Sequence, residues 1–141
     1  MVRKAQEKDI DFIMNLSKKT PELNASKSDS WLPSKTELLY WINDYKTIFL
    51  VEENKGFLLA KLNSSEWCMI DALSIDPNFR KQGIATKLLN QLDSILKEKK
   101  VEYISGLVLE NFENSREFWK KKGFIEGKKL IWFEKELKWE I

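Results

Sequence analysis

The stretch "SIDPNFRKQGIATKLL", residues 74–89, decides how the surrounding chain is expected to fold. It places Pro77, the cations Arg80 and Lys81, and then Gly83 in the few residues before a helix begins. The first turn of a helix carries backbone N–H groups without partners, at the positive end of the helix dipole. Because Gly83 has no side chain to block approach, the amides of residues 82–85 form a candidate anion cradle. An ordinary strand-to-helix turn that needs glycine only for its backbone angle is the alternative.

Bulk composition narrows the class of protein. The 141 residues are 43% hydrophobic, which predicts one domain over residues 1–141 with a core of its own. No apolar run approaches the roughly 20 residues that a membrane-spanning helix needs, and the charged start predicts no signal peptide. The 24 cations and 22 anions are well mixed, so neither nucleic acid nor membrane is expected as a partner. The single cysteine suits a reducing compartment, and we expect a cytoplasmic protein; a homodimer stays open.

The chain contains no histidine. This excludes Ser-His and Cys-His nucleophile pairs, HExxH zinc sites and imidazole acid–base chemistry. With only one cysteine, Cys68, a structural zinc site is not expected either, and we predict no metal. Cys68 has no histidine to activate it and is therefore expected to be a packed core thiol. Any catalysis must use carboxylates, tyrosines, lysines, backbone groups or a reactive cofactor.

Hydrophobic periodicity predicts an α/β layer structure around a mixed sheet. The predicted strands are residues 1–5, 46–52, 56–62, 66–75, 101–109 and 130–137, and the predicted helices are residues 7–19, 34–45, 83–100 and 114–123. The strand at 101–109 reads as a buried one. Ser34 with Glu37 predicts a capping box, and Asn114 with Glu117 predicts another for the last helix, which Gly123 ends.

Two segments carry a resemblance to a known family. The first segment fits a pattern of a hydrophobic residue, a proline two positions later, and then Arg/Gln-x-x-Gly-x-Gly/Ala. The matching residues are Ile75, Pro77, Arg80, Gly83 and Ala85. This segment resembles the acyl-CoA-binding segment of the GNAT N-acetyltransferase superfamily, and "REFWKKKGF" at 116–124 is similar to its later signature. The resemblance covers essentially the whole chain. It implies a single-domain fold with a mixed, mostly antiparallel sheet, about four flanking helices and a splayed strand pair that forms an acyl-CoA cleft.

The resemblance implies acetyl-CoA as co-substrate. Its pyrophosphate would lie on the amides of residues 82–86, its pantetheine arm along the strand edge at 73–75, and residues 101–110 would form the other lip of the cleft. The implied cofactor-binding residues are Leu73, Ser74, Ile75, Arg80, Lys81, Gln82, Gly83, Ile84, Ala85, Thr86, Asn111 and Trp119. Asn114 and Ser115 are further candidates because the spacing of this segment is off by one. The run 120–122 is either a solvated helix face or a site for the adenosine 3′-phosphate.

A general base is needed to take a proton from the acceptor. A lysine-type amine has a solution pKa near 10.4, so deprotonating it at neutral pH costs roughly 4–5 kcal/mol. Asp71 is the predicted base, and Glu66, nearer the start of the same strand, is the alternative. A structural role for Asp71, as the partner of a buried cation or at a solvated edge, stays open. Alternation predicts that one face of the strand carries Trp67, Met69, Asp71, Leu73 and Ile75. Apolar neighbours on that face would desolvate the carboxylate and tune it as a base.

The family's later signature usually carries a tyrosine, the common general acid, where this chain has Trp119. An indole N–H donates a hydrogen bond but does not transfer a proton under ordinary conditions. We therefore expect Trp119 to pack, and water or Tyr103 on the neighbouring strand to supply the proton to the departing thiolate.

The acceptor is the least defined part of the prediction. The loop at 20–33, with Glu22, Asp29 and Trp31, lies in the stretch that shapes the acceptor site in this family. Its acids and aromatic ring suit a cationic amine, although a surface loop explains the same composition. The leading interpretation is an acyltransferase that moves acetyl directly from acetyl-CoA to a primary amine of a small molecule. The alternatives are acetylation of a protein amino group, N-terminal or lysine, and a catalytically silent acyl-CoA-binding module.

Overall fold

The computed structural model describes residues 1–24 and 31–138. The strands are β1 (Val2–Lys4), β2 (Thr47–Glu52), β3 (Gly56–Leu62), β4 (Trp67–Ile75) and β5 (Tyr103–Gly106), and the helices are α1 (Ile10–Lys19), α2 (Lys35–Asn43), α3 (Ile84–Glu98) and α4 (Glu113–Lys121). The sheet order is β1-β2-β3-β4-β5, antiparallel throughout except for the parallel pair β4–β5. This confirms the predicted α/β fold with a mostly antiparallel sheet. Among the described residues, no helix combines the length and apolarity needed to cross a membrane.

Local sequence signals set where the second helix begins. The Ser34 hydroxyl accepts the backbone N–H of Glu37 at 3.2 Å, and the Glu37 carboxylate accepts the backbone N–H of Ser34 at 3.2 Å. This is the predicted capping box, in which two orphan donors of the first turn are satisfied reciprocally. It fixes the start of α2 at Lys35.

A hydrophobic core lies on each face of the sheet. Helices α1 and α2 cover one face, where the buried residues include Ile13, Leu38, Phe49, Val51, Phe57 and Leu59. Helix α3 covers the other face, with Leu50, Leu58, Ile70, Leu88 and Leu92. Alternate residues of β2 and β3 therefore enter opposite cores, as expected of strands buried on both faces. The two central strands are buried on both faces, and β4 pairs with β3 beside them.

Strand β3 begins unusually close to the end of β4. A Cβ built on Gly56 would lie 2.6 Å from Cδ1 of Ile75 and 2.9 Å from the carbonyl oxygen of Ser74. No side chain fits between the two strands here, so glycine is required by close approach.

The last third of the chain departs from the sequence prediction at three elements, of which β5 and α4 are the first two. β5 is shorter than the predicted 101–109, and its residues are exposed or half-buried rather than buried. It lies at the edge of the sheet, and no described strand pairs with its outer side. Asn114 does not cap α4, because the helix begins one residue before it; the N-cap is Phe112, which makes no side-chain cap bond. Gly123, at φ +92°, ends the helix as expected.

The predicted strand at 130–137 is absent. No backbone hydrogen bond joins residues 125–138 to another described residue, and Leu130, Ile131, Trp132 and Phe133 are exposed. These four apolar residues are consecutive, so the segment has no polar face and no period-2 alternation to fix a register. High β propensity alone does not provide a partner strand.

Candidate functional site

The parallel strands β4 and β5 separate part of the way along β4. They are paired from Trp67 with Tyr103 to Ile70 with Gly106. From residue 71 to 75, β4 continues with β3 on one side and, among the described residues, no strand on the other. The backbone N–H and C=O groups on that side are therefore open to a ligand. We call residues 71–75 the open edge. The separation of β4 from β5 agrees with the splayed strand pair that the family resemblance implied.

A β-bulge lies where the open edge begins. Ala60 pairs with Ile70 and Leu59 pairs with Ala72, so Asp71 is an extra residue in β4. A bulge reverses the alternation of side chains beyond it, because the period of a strand is two residues. Accordingly Ile70 packs in the core beneath α3, whereas Ala72 packs in the core beneath α1 and α2.

The bulge overturns the predicted single face of Trp67, Met69, Asp71, Leu73 and Ile75. Leu73 and Ile75 pack in the same core as Cys68 and Ile70, the residues that precede the bulge at even positions. Strict alternation would have put these two pairs on opposite faces. The expectation that Asp71 shares a face with four apolar side chains is therefore wrong.

Asp71 has a cationic partner. Its Oδ2 lies 3.0 Å from Nζ of Lys61, and its side chain is 22% exposed. The same Nζ lies 4.1 Å from the ring centroid of Trp41 on α2. The ammonium of Lys61 is thus held between a carboxylate and an aromatic face, two groups that attract cations.

The cysteine on the other side of β4 is inert at neutral pH. Burial, helped by the negative charge of Asp71, raises the pKa of the Cys68 thiol to about 11. The side chain is buried in the core beneath α3, and this confirms the prediction of a packed core thiol. A protonated, inaccessible thiol is not a nucleophile.

The two remaining catalytic candidates lie at the closed end of the strand pair. Glu66 is exposed, and its carbonyl oxygen accepts the amides of Glu102 and Tyr103 at 3.0 Å each. Tyr103 is 66% exposed and is the first residue of β5. At about 3.3 Å per residue, Glu66 and Asp71 are roughly 16 Å apart along the strand. The structure therefore does not bring Glu66 or Tyr103 to the open edge.

The loop between β4 and α3 has the geometry of an anion cradle. Lys81 and Gly83 both adopt left-handed backbone angles, with φ +63° and +75°. Gly83 is the N-cap of α3 and makes no side-chain cap bond, and a Cβ placed on it would meet nothing within 4 Å. The first turn of α3 therefore presents uncapped amides to open space.

Three cations lie near this first turn. Arg80 and Lys81 are exposed in the loop. Lys122, at the end of α4, donates from Nζ to the Thr86 hydroxyl at 2.6 Å. Its neighbour Lys120 instead pairs with two glutamates of the α4 region. Within the lysine run at 120–122, Lys122 is thus hydrogen-bonded to α3, whereas Lys120 pairs within its own region.

Trp119 is a packing residue in this structure. Its ring meets Phe118 and Phe124 edge-on, with centroids 5.1 and 5.0 Å apart, and it packs against the core beneath α3. Asn111 lies exposed in the turn before α4. The contacts of Trp119 agree with the packing interpretation.

The loop after α1 reaches both α4 and the core beneath α2. Glu22 accepts a hydrogen bond from the hydroxyl of Ser115 at 2.9 Å, so the loop and α4 are in contact. Trp31 stacks on Trp41, with centroids 5.9 Å apart and planes 15° apart. Asp29, the third residue predicted in this loop, lies outside the described residues.

Sequence reasoning missed Lys61 and Trp41. Trp41 reads as an ordinary core position of an amphipathic helix. Lys61 offered one signal, since it is the only charged residue in the strand "GFLLAKL". A lone charge in a buried strand is expected to have a partner, but the sequence does not say which.

Comparisons with known proteins agree with this geometry. The model of the acetyltransferase (GNAT) family matches residues 11–124. A search of curated protein sequences found no match.

Solved structures share the fold at low sequence identity. The aminoglycoside 6′-N-acetyltransferase AAC(6′)-IG of Acinetobacter haemolyticus superposes with a TM-score of 0.76 at 18% identity, covering 98% of this chain and 99% of that one. PaiA N-acetyltransferase of Thermoplasma acidophilum, solved with coenzyme A, gives 0.74 at 21% identity over 86% of this chain and 87% of that one. The aminoglycoside acetyltransferase meta-AAC0020 from an uncultured soil metagenomic sample gives 0.73 at 20% identity over 98% and 96%.

These likenesses show the fold, and the family model spans most of the chain, including the cradle and the open edge. The chain belongs to the acetyltransferase (GNAT) family.

Proposed function

We propose that this acetyltransferase takes acetyl-CoA as its co-substrate and transfers the acetyl group directly to a primary amine of a small molecule. The observations that carry the proposal are two open backbone segments that follow one another along the chain, together called the track below. Uncapped amides at the start of α3 are followed, back along the chain, by the unpaired edge of β4, and that edge stops at the bulge of Asp71. A long ligand with an anionic group at one end and amide groups along its arm suits this track.

Each part of the track has a distinct role. The amides of Gln82–Thr86 would hold the pyrophosphate, with Arg80, Lys81 and Lys122 adding positive charge. Leu73, Ser74 and Ile75 would offer backbone groups to the pantetheine arm. The side chain of Ser74 is not free for this, because its hydroxyl is buried and bonded to that of Thr20 at 2.5 Å. The bound cofactor supplies a thioester, which is an acetyl group already activated for attack by an amine.

Asp71 remains our candidate for the general base. It lies at the bulge where the open edge begins, and its side chain is in part accessible to a water or an amine. It would take a proton from the acceptor ammonium, directly or through water. Glu66 stays the weaker alternative for the base. We propose water as the proton source for the departing thiolate, because water requires no acidic side chain at the open edge.

A cationic small-molecule amine is the acceptor class we propose. Its support is the combination of Glu22 and the stacked Trp31 and Trp41 on the side of the sheet that carries α1 and α2. Two of the similar structures are named as aminoglycoside acetyltransferases, which have acceptors of this chemical class. A cytoplasmic location completes the proposal, supported by the free thiol of Cys68.

Calorimetric titration of acetyl-CoA tests the proposal. The wild type should bind, and Gly83→Glu should abolish binding, because it places bulk and negative charge where the pyrophosphate must lie. Gly83→Ala carries the same backbone strain without the charge and should retain measurable binding. Gly127→Glu, at an exposed glycine with nothing within 4 Å of a Cβ, is the matched control and should bind like wild type. Unchanged affinity in a folded Gly83→Glu protein would overturn the proposed site.

A further inference from the structure

The amine of Lys61 lies beside the end of the track at which the acetyl group is expected. We propose that Lys61 is a self-acetylation site, modified at Nζ by acetyl-CoA bound to the same molecule. This rests on the proposed use of acetyl-CoA, and it adds a second acceptor that belongs to the protein itself.

Position is the first reason. A cofactor whose pyrophosphate lies on the first turn of α3 and whose arm follows the open edge runs from Ile75 toward Asp71. Its thioester end therefore arrives at the bulge. Lys61 Nζ lies 3.0 Å from Oδ2 of Asp71, so an amine is already present at that end.

Access and proton transfer are the second reason. The Lys61 side chain is 34% exposed, so a ligand can reach it. The adjacent carboxylate can accept the proton that the ammonium must lose before it becomes a nucleophile. Lys122, the lysine in contact with the first turn of α3, lies at the phosphate end of the track, and its hydrogen-bond partner there is the Thr86 hydroxyl rather than a carboxylate.

The reaction balances without any further reagent. The Lys61 ammonium gives one proton to Asp71, and the neutral nitrogen attacks the thioester carbonyl carbon. The new C–N bond forms, the C–S bond breaks, and the nitrogen's second proton goes to the departing thiolate to give free CoA. Asp71 then returns its proton to solvent.

Acetylation would change the site as well as the lysine. The amide carries no charge, so Asp71 loses its ion pair and the ring of Trp41 loses the cation above it. Both groups face the proposed acceptor side of the sheet.

The test is a time course of lysine labelling in the full chain. The protein is incubated with acetyl-CoA that carries a deuterated acetyl group, digested, and analysed by mass spectrometry for the label at each lysine. Exposed Lys97 on α3 is the internal reference for uncatalysed acetylation. We expect Lys61 to be labelled at least about tenfold faster than Lys97, a modest yield for a positioned base. The rate at Lys61 should not depend on protein concentration, and the preference should vanish in urea.

Variants connect the rate to the geometry. Asp71→Asn should slow labelling of Lys61 by about tenfold or more and leave Lys97 unchanged. Asp93→Asn, an exposed carboxylate on α3, is the matched control and should change neither rate. Should Asp71→Asn fail to fold, the ratio of Lys61 to Lys97 labelling in the wild type decides the matter alone.

Three results would overturn the proposal. These are labelling of Lys61 no faster than Lys97, a preference that survives in urea, and a rate that rises with protein concentration. If an added amine is acetylated while Lys61 stays unlabelled, self-acetylation is wrong and the proposed function stands. If acetyl-CoA neither binds nor labels any lysine preferentially, both are wrong.

Discussion

Replacing Gly56 by alanine tests how closely the start of β3 must approach the open edge. The new Cβ would lie 2.6 Å from Cδ1 of Ile75 and 2.9 Å from the carbonyl oxygen of Ser74. The methyl group of Ile75 is at the end of a side chain and can rotate away. The Ser74 carbonyl belongs to the backbone, so that contact is relieved only if β3 and β4 move apart.

The two opposing effects set the size of the change. Overpacking a well-packed site typically costs about 1–3 kcal/mol. Alanine also restricts the unfolded chain, which stabilises the protein by about 0.4–1 kcal/mol where the native backbone permits it. We expect a net loss of about 1–2 kcal/mol of unfolding free energy. With a urea m-value of about 2 kcal/mol/M, this lowers the midpoint by about 0.5–1 M. Acetyl-CoA affinity should fall too, since Ser74 and Ile75 belong to the open edge.

Urea unfolding followed by circular dichroism measures the effect. Gly106→Ala on β5 is the matched control, because its nearest contact would be the carbonyl oxygen of Ile70 at 3.5 Å, an ordinary van der Waals distance. It should stay within about 0.5 kcal/mol of wild type. A Gly56→Ala protein as stable as wild type, with an unchanged m-value, would refute the packing argument.

Three further predictions concern the reaction and β4. Asp71→Asn should depress turnover at pH 7 while leaving acetyl-CoA affinity nearly intact, with partial recovery at higher pH; CoA release measured across pH checks this, and an unaltered pH–rate profile would pass the role to Glu66 or solvent. Trp119→Tyr should raise turnover no more than about tenfold, equivalent to about 1.4 kcal/mol, since a thiolate leaves readily without a general acid. If only that variant is active with a panel of amines, the wild type is a binding module. Burial, then the charge of Asp71, raise the pKa of Cys68 to about 11, so the native thiol should resist a disulfide reagent at pH 8 and react once urea unfolds the chain. The contribution of the protonated thiol to the unfolding free energy is fully present below the unfolded pKa of about 8.5, and it is lost as pH rises through about 11. A difference in urea midpoint between wild type and Cys68→Ala that does not change over this pH range would contradict this.

The sequence predicts best what neighbouring residues determine. The capping box of Ser34 and Glu37 closes within one helical turn. The left-handed Gly83 and the uncapped start of α3 follow from a proline, a glycine and a helix pattern within a few residues. The order of strands and helices up to α4 comes from the same kind of signal. Together with the two motif segments at 75–85 and 116–124, it indicates the family.

What the sequence did not reveal depends on register between distant strands. The bulge at Asp71 exists because Ala60 and Leu59 pair with residues two positions apart in β4, which no local pattern in β4 records. The partnership of Lys61 with Asp71 and Trp41 needs two strands and a helix to be packed first. The prediction of a strand at 130–137 was wrong for a related reason, since β propensity does not supply a pairing partner.

Acetyl transfer from acetyl-CoA to a panel of primary amines, scored by release of free CoA, tests the central claim most directly. We expect saturable CoA release with at least one cationic small-molecule amine, and loss of that activity in Gly83→Glu. Tight binding of acetyl-CoA without turnover of any small amine or protein amino group would contradict it and leave a binding module.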